Sequence, residues 1–244
     1  MIDTQLLREY AAEYGITVDD TACQKLDRYA ELLVDWNQRM NLTAITDPHG
    51  IVLKHFTDSL TALSVLPKKN GLSLIDVGTG AGFPGIPLAL VRPDIRLTLL
   101  DSLNKRLIFL KEVCDELGIR AELIHARAEE GGRNPKLREK FDAATARAVA
   151  AMPVLSEYCL PFVKVGGCFI AMKGPDSDAE IQAAKRVVEL LGGKVTEAKA
   201  LSLPHLPRDG VEQQERRLFV IEKTKPTPPR FPRQSAKISK EPLG

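Results

Sequence analysis

Three glycines at alternate positions, Gly78, Gly80 and Gly82, follow the short apolar run Leu72-Ser73-Leu74-Ile75-Asp76-Val77. Glycine permits positive φ and lets a ligand come close to the main chain. A strand that ends in such a loop and leads into a helix sets the loop at the ligand-binding edge of a parallel sheet. The loop carries no Lys or Arg, and Asp76 stands at its mouth. A carboxylate there suits a pyrophosphate poorly and an ammonium-bearing ligand well. The dinucleotide pattern GxGxxG requires glycine three residues after Gly80, where this chain has Phe83. A phosphate-binding Gly-Lys-Ser/Thr is missing as well. These features favour the methionine part of S-adenosylmethionine over NAD. A tight turn that binds nothing is the plainer alternative.

A second acid supports a nucleoside ligand. Asp101 ends the next apolar run, Ile95 to Leu100, and lies 23 residues after Gly78. An acid near that position can accept hydrogen bonds from both ribose hydroxyls. It can also cap the helix that starts near Leu103, although Ser102 is equally able to do so. His55, beside Phe56 and Asp58, reads as a helix histidine and falls outside the expected site. Trp36 reads as a core residue. The four cysteines, Cys23, Cys114, Cys159 and Cys168, show no CxxC spacing, which fits reduced thiols in a cytoplasmic protein. No metal site is expected.

The elements that must hold these residues follow from periodicity. Residues 1–70 form an N-terminal helical region. Within it, Leu26, Tyr29, Ala30, Leu33 and Val34 recur at helical spacing after N-cap candidates between Thr17 and Asp20. Asp47-Pro48 opens another helix through His55, Phe56 and Leu60. From residue 71 to 223 strands and helices alternate. Strands are expected at 72–77, 95–100, 121–124, 141–146 and 167–172, with helices at 84–91, 103–117, 152–160 and 178–191, and extended segments at 194–201 and 217–221. Gly118 and Gly192-Gly193 close two of the helices. The expected fold is α/β: a Rossmann-like, mostly parallel seven-stranded sheet with helices on both faces, plus the N-terminal helical extension.

Composition and charge narrow the partners. Hydrophobic residues make up 44% of the 244 and charged residues 27%, which is enough for a packed core. No run approaches the length of a membrane span, and the polar start Met1-Ile2-Asp3-Thr4-Gln5 is unlike a signal peptide. A monomer is expected. The net charge is +2, but the C-terminal segment holds Lys223, Lys225, Arg230, Arg233, Lys237 and Lys240 against Glu241, a balance of +5. The rest of the chain is therefore at −3. A basic, Pro-rich tail over 224–244 on a near-neutral body indicates contact with a polyanion. A solvated, disordered end is the alternative. On the first view, removing the tail should weaken RNA binding and leave cofactor binding nearly unchanged. Arg208, Arg216 and Arg217 are further candidates for a basic surface.

Taken together, these motifs resemble the RsmG (glucose-inhibited division protein B) family of bacterial methyltransferases that modify a guanine N7 in 16S ribosomal RNA. The resemblance is carried by Trp36-Asn37, Asn41 to Ile45 and His55 to Leu60. It continues through the loop DVGTGAGFPGIP from Asp76 to Pro87, Leu100-Asp101-Ser102 with Lys105-Arg106, Ala126 to Glu130, Thr145 to Ala148, Lys173-Gly174 and Arg230 to Arg233. It implies S-adenosylmethionine as cofactor and 16S rRNA or the small ribosomal subunit as partner. By the same resemblance, Gly78 and Phe83 contact the cofactor, and Asp101 and Ser102 hold its ribose. Ala128 and Glu129 border the adenine, and Arg147 lines the cofactor pocket on the substrate side. The tail departs from the family pattern at Gln234 and Ser235, where relatives often carry Lys and Gly.

Guanine N7 offers a lone pair and no proton, so its methylation needs neither a general base nor a covalent intermediate. The chain has Thr145-Ala146-Arg147-Ala148 where exocyclic-amine methyltransferases carry an (Asp/Asn)-Pro-Pro-aromatic motif. No residue is therefore expected to act as a chemical catalyst, and positioning carries the rate. Arg147 can donate to guanine O6 or to phosphate, or orient the cofactor, against a surface ion pair as alternative. Arg127 and Lys173 are candidates for RNA phosphate, as are Arg230, Arg233 and Lys237 in the tail. Two other functions stay open on the residues alone: a nicotinamide-dependent oxidoreductase, and an RNA-binding module without catalysis.

Overall fold

The computed structural model describes residues 1–204 and 214–243. Arg208 lies outside them. Seven strands, β1 (Ser73–Val77), β2 (Arg96–Asp101), β3 (Ala121–His125), β4 (Phe141–Arg147), β5 (Val163–Lys173), β6 (Gly193–Ser202) and β7 (Glu215–Lys223), form one sheet in the order β3-β2-β1-β4-β5-β7-β6. The pairs among β1 to β5 are parallel. β7 runs antiparallel to both β5 and β6. The chain winds outward from β1 through β2 to β3, returns to the centre at β4, and then winds the other way. The switch point lies between β1 and β4, where the carboxyl ends of neighbouring strands diverge and open a crevice.

Helices cover both faces. α1 (Thr4–Ala12) and α2 (Asp20–Asn37) begin at Asp3 and Asp19, whose carboxylates accept from Leu6 N and Ala22 N and satisfy donors of the first turn. Asp47 and Pro48 start α3 (Pro48–Gly50), which runs on as a π-helix over Ile51–Thr57 into α4 (Asp58–Leu60). Periodicity indicates that helix but not its widened π turns, which occur often at functional sites. α5 (Gly85–Val91), α6 (Asn104–Leu117), the short α7 (Ala128–Gly131), α8 (Met152–Cys159), α9 (Asp178–Leu190) and α10 (Ser235–Lys240) complete the set among the described residues. Gly118 closes α6 in the left-handed conformation, with φ 63°.

The N-terminal helices share their core with the sheet. Leu7, Leu26, Tyr29 and Phe56 pack in one cluster with Ile86, Leu99 and Phe109. On the opposite face Ile75, Leu100, Phe169 and Phe219 pack with Leu155 and Val188, and Phe231 of the tail joins them. The helical region of residues 1–70 is thus one layer over the sheet, held there by apolar burial.

The tail is anchored at several points, with Thr227, Phe231, Pro232 and Ile238 buried and the residues between them largely exposed. Lys223, fully buried, donates from Nζ to the carbonyls of Leu160 and Val163 at 2.7 and 3.0 Å and to Thr227 Oγ1 at 2.8 Å. Glu139 accepts from Thr227 N at 2.7 Å and pairs with Lys223 at 3.2 Å. Arg138 donates to the carbonyls of Thr227 and Phe231, and Arg133 to that of Pro232. Arg233 donates to Glu157 from its main-chain N at 2.7 Å, from Nε at 3.0 Å and from Nη2 at 2.8 Å. The alternative of a loose end is thus not what the structure shows, and Arg233, expected at RNA, pairs with a carboxylate that is itself fully buried. With Lys223 also inside, the cations left for a partner are Lys225, Arg230, Lys237 and Lys240 against Glu241, a balance of 4 − 1 = +3.

Candidate active site

The glycine loop joins β1 to α5, and its shape is set by Asp76. The side chain is fully buried, with Oδ2 accepting from Thr79 Oγ1 at 2.6 Å and Gly85 N at 3.0 Å. Burial pushes its carboxyl up to about 6, and the hydrogen bonds from Thr79 and Gly85 work against that rise. Asp76 therefore does not wait at the mouth for an ammonium group. It ties the loop to the start of α5. Gly78, Gly80 and Gly82 have φ of 70°, 63° and 100°, a region open to glycine at little cost. Two of them have distinct neighbours. A Cβ on Gly78 would lie 2.9 Å from Val149 at the cleft wall, and one on Gly82 would lie 2.5 Å from Tyr29 Oη in the core.

Beyond the carboxyl ends of β1 and β2 lies a cleft of about 270 Å³. Gly78, Asp101, Ser102, Ala128 and Glu129 line it, so five of the seven residues expected at the cofactor share one cavity. Asp101 is held by the main chain on either side of the cleft edge. Oδ1 accepts from Leu103 N at 2.8 Å before α6, and Oδ2 accepts from Gly80 N at 2.9 Å while still lining the cleft. Arg106 reaches Oδ2 at 3.3 Å. Glu129 is buried, and its Oε1 has no hydrogen-bond partner among the described residues. An unpaired buried carboxylate oxygen is costly, so this atom has capacity to accept one further hydrogen bond. Arg127 lines the cleft from its exposed side. Val149, Tyr158 and Ser235 also line it and escaped the sequence reading, because no local pattern brings α8 and the tail to this edge.

The other two expected cofactor residues lie elsewhere. The Phe83 ring is buried in an aromatic stack, 4.5 Å from His55 and 5.4 Å from Tyr29 between ring centroids. The ring is thus enclosed by side chains of the helical layer and of β4. Arg147 lies over the same ring, its guanidinium carbon 5.1 Å from the centroid. It lines a second cleft, of about 390 Å³, and not the first. Lys54, His55, Asp58, Lys173, Arg216 and Arg217 line this second cleft with it, and Ala148 borders both cavities.

The second cleft is strongly basic and internally paired. Asp58 takes Arg147 at 2.8 Å on one oxygen and Arg216 at 3.0 Å on the other. Lys173 pairs with Glu180 at 2.7 Å and donates to the Ala150 carbonyl, so it is neither a free phosphate ligand nor a solvated strand end. His55, set aside on sequence grounds, borders the cleft with Nε2 2.8 Å from Thr43 Oγ1. Burial, and the Arg147 charge after it, push its imidazole down to about 4, so it is neutral at pH 7. All four cysteines are buried and line neither cleft. Among the described residues no group of His, Cys, Asp and Glu is arranged to hold a metal, and no helix is long and apolar enough to cross a membrane. Arg230 and Lys237 are exposed on the tail, where the Arg230 guanidinium lies 5.0 Å from the Phe231 ring centre.

Comparison with solved structures finds the same architecture at low identity. The precorrin-6y C5,15-methyltransferase of Geobacter metallireducens superposes with a TM-score of 0.53 at 17% identity, over 75% of this chain and 92% of that one. A branched-chain polyamine synthase mutein of Thermus thermophilus, solved with N4-aminopropylspermidine and 5′-methylthioadenosine, reaches 0.57 at 15% identity, over 82% of this chain and 64% of that one. These establish a shared fold. Sequence comparison goes further. The ribosomal RNA small subunit methyltransferase G of Acetivibrio thermocellus is 50% identical over 98% of this chain and 96% of its own length. That of Alkaliphilus metalliredigens is 48% identical over the whole of both chains. The family model described as rRNA small subunit methyltransferase G (GidB) matches residues 22–207. The chain belongs to that family, which removes the oxidoreductase alternative.

Proposed function

We propose that the protein transfers a methyl group from S-adenosylmethionine to N7 of a guanine in 16S rRNA of the small ribosomal subunit. The carrying observation is the pair of clefts that meet at Ala148, one lined by Asp101, Ser102, Ala128 and Glu129 and one lined with cations. In the first, Asp101 and Ser102 would hold the ribose and Ala128 and Glu129 the adenine. The unpaired Oε1 of Glu129 suits an amino group. When bound, S-adenosylmethionine supplies an electrophilic methyl group on a sulfonium.

The residues of the second cleft would bind and orient the RNA. The guanine N7 lone pair takes the methyl group as the carbon–sulfur bond breaks, positive charge passes from sulfur to the base, and no proton moves. The site fits that economy. Asp58 is engaged by two guanidiniums, which leaves it poorly placed to act as a base. The buried cysteines supply no nucleophile of the kind carbon-5 methylation requires, and burial raises the Cys159 thiol well above its ordinary range. Arg147, fixed between Asp58 and Phe83, would direct its remaining donors toward O6 or a phosphate.

The test is methyl incorporation from labelled S-adenosylmethionine into small ribosomal subunits or naked 16S rRNA, followed by nucleoside analysis. N7-methylguanosine is expected. Label found only on an exocyclic amine or a ring carbon would overturn the N7 assignment.

A further inference from the structure

We infer that the C-terminal segment is part of the nucleotide cleft, with Ser235 facing the cofactor and the Arg233–Glu157 pair acting as the clamp that positions it. This rests on the S-adenosylmethionine reading of that cleft and extends it to a segment assigned above, on sequence grounds, to RNA alone. Ser235 lines the nucleotide cleft together with Asp101, Ala128 and Glu129. It also lines an adjoining cavity with Glu129, Arg127 and Arg233, so Glu129 forms a partition between the two. The tail thus contributes to the same wall region as Glu129, whose Oε1 lacks a partner.

Its position is fixed by α8. Glu157 receives four hydrogen bonds from three donors of Arg233, one donor being the main-chain N, and the next residue, Tyr158, lines the nucleotide cleft itself. One turn of α8 therefore both holds the tail and contributes to the lining of the cleft. A fork of two side-chain bonds on a buried carboxylate fixes direction as well as distance. Ile238, fully buried, seats α10 so that Ser235 cannot swing away without exposing it. Arg127 reaches across to Ser235 Oγ at 3.5 Å and completes the rim. Arg233 and Glu157 are positioning residues in this arrangement, and Ser235 is a contact residue.

Calorimetric titration with S-adenosylhomocysteine and with 5′-methylthioadenosine tests this on the full chain, on Arg233→Ala, on Ser235→Tyr, and on a chain ending at Arg233. Affinity for both ligands should fall about tenfold in the truncated chain and in Arg233→Ala, and by the same factor for each, because the tail faces the nucleoside they share. Ser235→Tyr keeps every anchor, so its ligand-free melting temperature should match the parent while its affinity falls. Equal affinities in parent and Ser235→Tyr, or a lower melting temperature in the truncated chain with affinity unchanged, would overturn the proposal and leave the cofactor reading standing. Failure of the full chain to bind either ligand would overturn both.

Discussion

Asp58 and Arg147 lie 2.8 Å apart, although one comes from the N-terminal helices and the other from the end of β4. Arg216 of β7 occupies the second oxygen of the same carboxylate. One acid therefore holds together the helical layer, the switch-point strand and the antiparallel strand at the floor of the basic cleft. Both partners of the first pair are largely buried. Asp58→Asn would leave two guanidiniums facing each other without a counter-charge. Breaking a buried pair from one side costs about 3 kcal/mol. Urea unfolding should show a loss of that order. Methyl transfer should fall further than cofactor affinity, because Arg147 borders the basic cleft and not the nucleotide cleft. Equal losses in both would show that the two clefts are not separable.

The loop glycines separate into two classes. A methyl on Gly78 collides with Val149, and the collision is relieved by pushing Val149 into the nucleotide cleft. Gly78→Ala should therefore weaken S-adenosylhomocysteine binding by about tenfold with a modest fall in melting temperature. A methyl on Gly82 meets Tyr29 Oη at 2.5 Å and Ile86 at 2.7 Å, both in the core. Tyr29 cannot retreat, since its hydroxyl donates to the Ala81 carbonyl and its ring stacks on Phe56 and Phe83. Gly82→Ala should cost about 3 kcal/mol of stability through overpacking and φ strain. Melting curves and ligand titrations on both variants check the division.

His55 gives the fold a defined acid limit. Its imidazole is held at about 4 against an ordinary 6.5, by burial first and by Arg147 second. A folded pKa below the unfolded one means that the unfolded chain binds the proton more readily. The contribution is fully present above pH 6.5 and is lost as the pH falls through 4, for a total of roughly 3 kcal/mol. Urea midpoints should drop across that window. His55→Gln, which does not titrate, should show a shallower drop, and parallel curves for parent and variant would place the acid sensitivity elsewhere.

The strands and the longer helices were readable from local patterns because each carries its own period and punctuation. β1 ends at the glycines, Gly118 closes α6, and Gly192 with φ 86° separates α9 from β6. The lining of the first cleft is legible for the same reason: Gly78, Asp101 and Glu129 stand at or just beyond the carboxyl ends of consecutive strands. What escaped depends on pairs distant in sequence. Nothing near Arg233 announces Glu157, 76 residues away, and nothing near Lys223 announces the Leu160 carbonyl, 63 residues away. A basic run reads as a charged surface until the partner of each cation is known. The stacking of Phe83 on Tyr29 and His55 of the helical layer is likewise invisible in its own loop. Asp76 was assigned to a ligand because its own loop, folding back, is the nearer donor.

The division of the tail's cations into buried and exposed can be read in salt dependence. Each phosphate contact on single-stranded nucleic acid contributes about 0.7 to the slope of log affinity against log salt. Arg230 and Lys237 are exposed, whereas Arg233 is held by Glu157. For binding to a 16S rRNA fragment, Arg230→Ala with Lys237→Ala should reduce the magnitude of the slope by about 1.4 and leave the melting temperature in place. Arg233→Ala should do the reverse. The slope should hold, since no phosphate contact is lost, while the melting temperature falls, since Glu157 keeps a buried charge with no cation beside it. A lower slope in Arg233→Ala without loss of stability would mean that the pair opens on RNA and that the clamp is released when the substrate arrives.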